Sequence, residues 1–287
     1  MRRCRVIALL LSGCGGPAVV DSGADATDTG EHDVTGYAVE WWTDPDPAIA
    51  GTEAEFYLHF TDQDGHSIED LQTNHDRVVH TIFVSRDLES FTHIHEEDFQ
   101  DLTVDDIRES TFHFPMTFPT AGEYLAIFDS AHLNQWLQVT SMVDVGGDIP
   151  QLDAYVDAIS TEADLGDVRV SLTWDIEPLS GYEAAFTVTI TEPDGAEVTD
   201  LTQYLGADGH MAVVSADLAY ASHTHAWFPG MEEMSPTMEM PHVYAGPDLP
   251  FHYAFPVGGT YKMWIQFARE SAPGVVYAAP FLFEVRG

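Results

Sequence analysis

The sequence predicts an all-β protein in which two tandem β-sandwich domains follow a short leader, and two observations carry this prediction. Segments 70–95 and 200–225 align without a gap at an offset of 130, and nine of their 26 positions are identical. Short stretches of alternating apolar and polar residues recur between turn-forming residues, whereas no long stretch has the 3.6-residue period of a helix. We therefore expect repeats at 36–146 and 167–287, joined by a linker at 147–166.

Each repeat also contains the motif Phe-Pro-x-x-Gly-x-Tyr, which ends at Tyr124 and at Tyr261. A tyrosine that follows a glycine-containing turn and precedes a long strand resembles the tyrosine corner of immunoglobulin-like sandwiches. Roughly seven short strands per repeat also suit that fold. The expected architecture is therefore a pair of tandem immunoglobulin-like (cupredoxin-like) β-sandwich domains.

The N-terminus has the parts of a secretion signal. Three arginines precede the apolar run 6–11, which is far too short to span a bilayer, and a small-residue segment then ends in Cys14. This segment resembles a bacterial lipoprotein signal peptide. The resemblance implies removal of residues 1–13 and a lipid anchor on Cys14, and the alternative is a buried N-terminal helix.

The residues that follow the predicted cleavage site extend the same interpretation. Gly15 stands directly after the lipidated cysteine, and in the enterobacterial sorting pattern this implies an outer-membrane lipoprotein, on the periplasmic face or the cell surface. Segment 14–35 is acidic and poor in apolar residues, which predicts a flexible tether.

Composition limits the chemistry that the mature protein has available. The only cysteines are Cys4, in the predicted leader, and Cys14, so thiolate metal sites and cysteine nucleophiles are excluded. The formal net charge of −38 repels nucleic acid and attracts cations, although an acidic surface is also typical of adaptation to salt. A metal site must then use His, Met, Asp or Glu side chains.

The repeated segment carries the pattern His-x12-His-x-His twice, as His80, His93 and His95 and as His210, His223 and His225. Residues i and i+2 of a strand face the same way, and a hairpin centred on residues 217 and 218 places His210 opposite His225. The same arithmetic places His80 opposite His95. We therefore expect one convergent histidine patch per repeat, which is either a metal site or a His–carboxylate network that stabilises the hairpin.

The two predicted sites differ in the residues that flank them. After the second triad comes a loop rich in soft ligands, followed by a histidine on the next strand, and the candidate ligands are Met231, Met234, Met238, Met240, His242 and His252. Thioether and imidazole together favour Cu(I). The first triad is followed by acidic residues and by His113, which favours Cu(II) or zinc, unless this repeat is a decayed copy with a structural role.

The motif set Gly-Ala-Asp-Gly-His, the later His-x-His, the Met/His loop and the closing strands are similar to bacterial secreted β-sandwich domains of the YtkA-like and FixH-like kind. That resemblance implies copper or heavy-metal handling, with His210, His223 and His225 at the matching positions. It favours a lipid-anchored copper chaperone or buffer that meets other copper-handling envelope proteins. The alternative is a structural or adhesive envelope lipoprotein. Since no catalytic motif is present, we expect no enzyme activity.

Overall fold

The computed structural model describes residues 4–7, 37–62, 64–150, 159–231 and 234–287, and within them the chain is nearly all β. The prediction of an all-β fold with tandem sandwiches is confirmed. Among these residues, no helix has the length and apolar composition needed to cross a membrane. The predicted lipidation site Cys14, the tether and residues 151–158 of the predicted linker lie outside the described residues.

The first unit packs a sheet of order β1-β2-β3-β6 against a sheet of order β5-β4-β7-β8. A 3-10 turn at Glu96–Asp98 and the helix α1 at Val104–Glu109 connect the two sheets between β5 and β6. The strands are β1 (Cys4–Ile7), β2 (Ala38–Asp44), β3 (Glu53–Thr61), β4 (His80–Ser85), β5 (Phe91–Ile94), β6 (Thr111–Thr117), β7 (Gly122–His132) and β8 (Gln135–Val145).

The second unit repeats this plan, with a sheet of order β15-β11-β10-β9 against a sheet in which β12, β16, β13 and β14 are neighbours and β17 pairs with β16. Its strands are β9 (Glu162–Asp164), β10 (Arg169–Ile176), β11 (Glu183–Thr191), β12 (Leu201–Thr202), β13 (His210–Ser215), β14 (Ala221–His225), β15 (Asp248–Ala254), β16 (Gly259–Arg269) and β17 (Val276–Val285). Strand β9 pairs with β10, so the second unit already begins inside the segment predicted as a linker.

Two predictions about local structure have different outcomes. The tyrosine corners are confirmed, because the Tyr124 hydroxyl donates to the Thr120 carbonyl at 3.0 Å and the Tyr261 hydroxyl donates to the Val257 carbonyl at 3.1 Å. In the predicted signal segment, β1 pairs antiparallel with β2 as an edge strand, where the alternative expectation was a buried helix.

The central strands β4 and β13 are buried on both faces, which is unusual for a two-layer sandwich. In β4, Phe83 points into the core of its own unit, whereas Ile82 and Val84 belong to a separate apolar cluster together with Ala212 and Val214 of β13. Because side chains alternate along a strand, each central strand contributes one face to its own core and the other face to the partner unit. The two sandwiches therefore pack against each other through these sheets.

Aromatic and charged contacts complete this interface. Phe91 of β5 stacks on Trp264 of β16 with ring centroids 5.0 Å apart, and the buried Lys262 ammonium lies 3.3 Å from a Glu89 carboxylate oxygen. The apolar cluster occupies one end of the shared surface. Because residues i and i+2 of a strand share a face, His80 lies on the same face as Ile82, and His210 lies on the same face as Ala212. The other end of the shared surface therefore carries these histidines.

Candidate metal centre

Six histidines of the two repeated motifs converge between the sandwiches. The hairpin register agrees with the sequence prediction, since His210 pairs with His225 and Ala212 with His223. In the first unit Ile82 pairs with His93, which is the predicted register. Five of the six histidines are buried, and His93 is the half-buried exception.

The prediction of a separate patch in each repeat is corrected by the packing of the two units. The ring centroid of His223 lies 5.3 Å from that of His80 and 5.0 Å from that of His93, and the centroids of His93 and His210 lie 6.0 Å apart. The triads therefore form one continuous cluster. Sequence spacing describes each hairpin by itself and carries no information about how the hairpins of two domains meet.

In the first triad, three ring nitrogens form a nearly equilateral triangle. His80 Nδ1 lies 3.2 Å from His93 Nε2 and 3.0 Å from His95 Nε2, and the last two atoms lie 3.1 Å apart. Nitrogen ligands of a tetrahedral ion with bonds of about 2.0–2.1 Å lie about 3.3–3.4 Å apart. The triangle needs only a slight expansion to hold such an ion.

The outer nitrogen of each ring in this triad faces a hydrogen-bond acceptor. His80 Nε2 donates to the Asn74 carbonyl at 2.8 Å, His93 Nδ1 to Gln266 Oε1 at 2.7 Å, and His95 Nδ1 to Asp98 Oδ2 at 2.8 Å. The partner of one ring nitrogen sets the tautomer of a neutral imidazole. All three inner nitrogens therefore carry lone pairs directed at one another, an arrangement that a bound cation stabilises.

In the second triad, His210 and His223 repeat the contacts of His80 and His93, whereas His225 differs from His95. His210 Nε2 donates to the Tyr204 carbonyl at 2.7 Å, and His210 Nδ1 lies 3.2 Å from His223 Nε2. His223 Nδ1 lies 2.8 Å from Asp129 Oδ2. One nitrogen of each of the three rings lies within 4.8 Å of the others, and His225 Nε2 is buried without a hydrogen-bond partner.

The second histidine of each motif, His93 or His223, is hydrogen-bonded by a residue of the opposite unit. His93 of the first unit is held by Gln266 of the second, and His223 of the second is held by Asp129 of the first. Asp129 pairs with His80 across β4 and β7, and Gln266 pairs with His210 across β13 and β16, so they occupy equivalent places. Sequence reasoning missed both, although a polar residue in an otherwise apolar strand was a signal that could have found them.

A seventh histidine, which the sequence analysis did not single out, reaches the second triad from the first unit. His75 adopts a left-handed backbone with φ of 49°, and its ring centroid lies 3.8 Å from that of His225. Its Nε2 is buried without a hydrogen-bond partner. The aligned residue of the other repeat is Leu205, with φ of 45°, so the turn is shared but the histidine belongs to one side only.

Burial favours the neutral form of six imidazoles, those of His75, His80, His93, His210, His223 and His225. It lowers the pKa of His210 and of His223 to about 3, and the neighbouring histidines add to the shift. The pKa values of His75, His80, His93 and His225 are lowered well below the usual value for the same two reasons. Burial also raises the pKa of Asp129 well above its usual range. Neutral imidazole is the form that binds metal ions.

The acidic residues after His95 support the site from outside. Asp98 accepts from the outer nitrogen of His95 and lies 3.1 Å from Arg77, while Glu97 Oε1 accepts from the Val78 amide at 2.8 Å. Glu96 is buried and accepts from the His113 amide at 2.9 Å. Of these three acidic residues, Asp98 contacts a ring of the cluster, whereas Glu96 and Glu97 accept from backbone amides.

Three further predicted ligands lie outside the six-histidine cluster. His252, on β15 of the other sheet, stacks on Trp227 with centroids 4.3 Å apart. His113, on β6, lies 2.6 Å from Glu55 Oε1, and His242 Nδ1 lies 2.5 Å from Asp208 Oδ1. Each of these rings has a local partner of its own.

The methionine loop forms a small apolar cluster. Met240 is buried with Ala207 and Phe228, and Met231 and Met234 pack against them. Met238 is 51% exposed. Clustered methionine side chains are flexible and apolar, so they fill an irregular gap here beside the turn that precedes β13.

A third group of carboxylates and a histidine, Asp62, Asp64 and His66, lies in an exposed turn of the first unit. Asp62 Oδ1 accepts from the amides of Asp64 and His66, which is a common turn-stabilising arrangement. These contacts explain the group without a metal ion.

Comparison with known proteins adds a family and a fold. A family model described as "Domain of unknown function (DUF8832)" matches residues 32–147 and again residues 162–287. No curated protein matches the chain with significance.

Solved structures similar to this chain include the Escherichia coli adhesin FdeC, with 13% identity, a TM-score of 0.23, and coverage of 87% of this chain and 64% of that one. The fibronectin(III)-like modules of Clostridium thermocellum CbhA match with 9% identity, a TM-score of 0.21, and coverage of 86% and 94%. This chain spans less than two thirds of the adhesin's length. At these identities the likeness concerns the β-sandwich fold alone.

Proposed function

The chain belongs to the family described as "Domain of unknown function (DUF8832)", with two copies in tandem, and from that premise we propose that it binds transition-metal ions at the buried histidine cluster between its copies. The observation that carries the proposal is the hydrogen bonding of the first triad. Its three outer nitrogens all donate to oxygen acceptors, which leaves three inner lone pairs 3.0–3.2 Å apart.

A hydrogen-bond network without a metal would use the imidazoles differently. Neutral imidazoles that stabilise a hairpin alternate donor and acceptor nitrogens, so that each close contact contains a proton. Here the contacts of the inner nitrogens contain none, while a carbonyl, an amide oxygen and a carboxylate hold the outer N–H groups. Outer-shell acceptors of this kind are typical of metal-binding histidines.

The ligand chemistry favours copper or zinc. Imidazole suits zinc, copper, iron and nickel, and among divalent ions Cu(II) binds nitrogen sites most tightly. We propose Cu(II) or Zn(II) at the histidine cluster. Cu(I) at the methionine loop remains a separate proposal, which rests on the soft ligands of Met231, Met234, Met238 and Met240 and not on their distance to the cluster.

We further propose a buffering or delivering role in the cell envelope rather than catalysis. The burial of the cluster suits retention of an ion, which other copper-handling envelope proteins would supply or receive. The 48 acidic side chains concentrate cations near the surface. In this proposal Cys14 carries the lipid anchor, and cleavage before it removes β1 and leaves β2 at the edge of its sheet.

Metal titration of the purified protein tests this proposal. We expect Cu(II) and Zn(II) to bind with affinities that survive a large excess of Ca²⁺ and Mg²⁺, because oxygen-preferring ions compete for surface carboxylates and not for imidazole. Isothermal titration with and without the competing ions measures this. The matched controls His252→Gln and His113→Gln should bind as the parent protein does, since both rings lie outside the cluster.

Three results would contradict the proposal. Binding that Ca²⁺ abolishes would assign the metal to the acidic surface. Binding that His252→Gln or His113→Gln abolishes would assign it to the outer sheets. A protein that binds neither ion would favour the alternative in which the histidines stabilise an envelope lipoprotein.

A further inference from the structure

We propose that the two triads form one dinuclear centre, which holds two metal ions at the same time and couples them across the interface between the sandwiches. This inference rests on the proposed function, because it concerns the same histidines. It goes further in assigning the number of ions, their mutual contact and the class of ligand that lies between them.

The cluster contains more imidazole ligands than a single ion binds. Copper and zinc sites in proteins usually take three or four protein ligands, and octahedral sites are usually built from oxygen. The two motifs supply six imidazoles, arranged as two sets of three, and His75 adds a seventh ring beside His225. Each set has its own backbone carbonyl, from Asn74 or Tyr204, and its own side-chain acceptor on the middle histidine, from Gln266 or Asp129. Two sets of three ligands, each with these two supports, are more than one ion needs.

The two triads of histidines are in direct contact. One nitrogen of each of His80, His93 and His223 lies within 4.8 Å of the others, and the same holds for His210, His223 and His225. His223 therefore belongs to both groups. Its Nδ1 contacts Asp129 of the first unit, and its Nε2 lies 3.2 Å from His210 Nδ1. Ions held by the two triads are therefore close neighbours.

Two metal ions in this buried space need negative charge close to them. Two divalent cations repel each other at this separation, and the repulsion has to be offset by nearby negative charge. The carboxylates of Asp98 and Asp129 each contact one triad, at His95 and His223 respectively. An ion with three protein ligands keeps one open position. A small bridging anion such as hydroxide, placed between the ions, fills both open positions and lowers the repulsion.

Copper loading of the full chain tests the dinuclear centre. After desalting, we expect two Cu(II) ions per chain by elemental analysis, and an electron paramagnetic resonance signal that accounts for far less than the bound copper, because adjacent unpaired spins couple. His95→Ala removes a ligand of the first triad alone, and His225→Ala removes one of the second alone. Each variant should hold one copper whose full spin is observed.

The outcomes separate this inference from the proposed function. One copper per chain in the parent protein, lost in both variants, would overturn the dinuclear centre and leave metal binding intact, as would two coppers with full spin. No copper in the parent protein would overturn the proposed function itself. The copper-to-spin ratio of the parent protein decides the matter even if a variant does not fold, and His252→Gln should retain two coupled coppers.

Discussion

The metal-free protein is expected to lose most of its folding stability as the pH falls from about 6.5 toward 4. The cause is a set of buried histidines whose folded-state pKa values are lowered, which comprises His75, His80, His93, His210, His223 and His225. In the unfolded chain these side chains titrate near 6.5. Below that pH the unfolded state binds more protons than the folded state, so acid favours unfolding.

The expected size of this effect is large compared with ordinary domain stability. For each histidine that stays neutral in the folded state, the free energy of unfolding falls by about 1.4 kcal/mol per pH unit below 6.5. The loss continues down to the folded pKa, which is about 3 for His210 and His223. Several such groups together approach the total stability of a domain, which is about 5–15 kcal/mol. Asp129, with its raised pKa, acts in the opposite direction, but it is a single group.

Denaturant unfolding at pH 7, 6 and 5 measures this dependence. A metal-bound sample at pH 7 should gain about 4 kcal/mol when the free ion is at 1,000 times its dissociation constant, because the ion binds the folded state alone. The control His66→Gln should leave the pH slope unchanged, since that side chain is 77% exposed. A metal-free stability that is constant between pH 7 and pH 5 would show that these histidines are not held neutral.

Removal of a supporting residue is expected to weaken the metal site of the opposite repeat. Gln266 lies in the second sandwich but holds His93 of the first, and Asp129 lies in the first but holds His223 of the second. Loss of an outer-shell hydrogen bond to a metal-binding histidine typically costs about 10–100-fold in affinity. We expect losses of that order in Gln266→Ala and in Asp129→Ala.

Two comparisons of variants distinguish the loss of a hydrogen bond to a metal-binding histidine from a general loss of folding. In a His225→Ala background, where only the first triad is complete, Gln266→Ala should lower metal affinity more than Asp129→Ala does. Asp129→Asn keeps an acceptor oxygen and should recover most of the affinity. Gln135→Ala, at an exposed position of β8, is the control. Equal losses from both supports in that background would contradict the crossed arrangement.

Much of the fold follows from local sequence patterns. Strand alternation and the hairpin arithmetic predict the register that pairs His210 with His225, because the side-chain period of two fixes which residues oppose. The tyrosine corners follow from a short motif, since the hydroxyl of Tyr124 or Tyr261 bonds to a carbonyl four residues earlier. These features depend on neighbours along the chain or across one turn.

The union of the two triads depends on contacts that the motifs do not encode. His93 and Gln266 are 173 residues apart, and the aligned repeats gave no reason to pair them. One signal was present, however. Beyond its histidine, the face of β4 and of β13 that lies opposite its own core is apolar, and a strand that is apolar on both faces must pack on both. Interpreted in this way, the strands predict that the histidine-bearing sheets meet.

In the methionine loop, the amino-acid composition fits two different uses of the same side chains. Its composition suggested soft metal ligands, yet Met240 packs with Ala207 and Phe228, and Met231 and Met234 cover them. Methionine is both a soft ligand and an adaptable apolar side chain, so composition alone does not distinguish the two uses. The sequence pattern does not specify which methionines pack inward, so it did not predict this apolar cluster.

X-ray absorption spectroscopy of the copper- or zinc-loaded full chain tests the central claim most directly. We expect a first shell of nitrogen or oxygen atoms at about 2.0–2.1 Å, with the outer-shell scattering that imidazole rings produce. A sulfur shell, at about 2.3 Å for a zinc–thiolate bond and at a comparable distance for thioether, should be absent. A first shell dominated by sulfur, or one without imidazole scattering, would contradict metal binding by the histidine cluster.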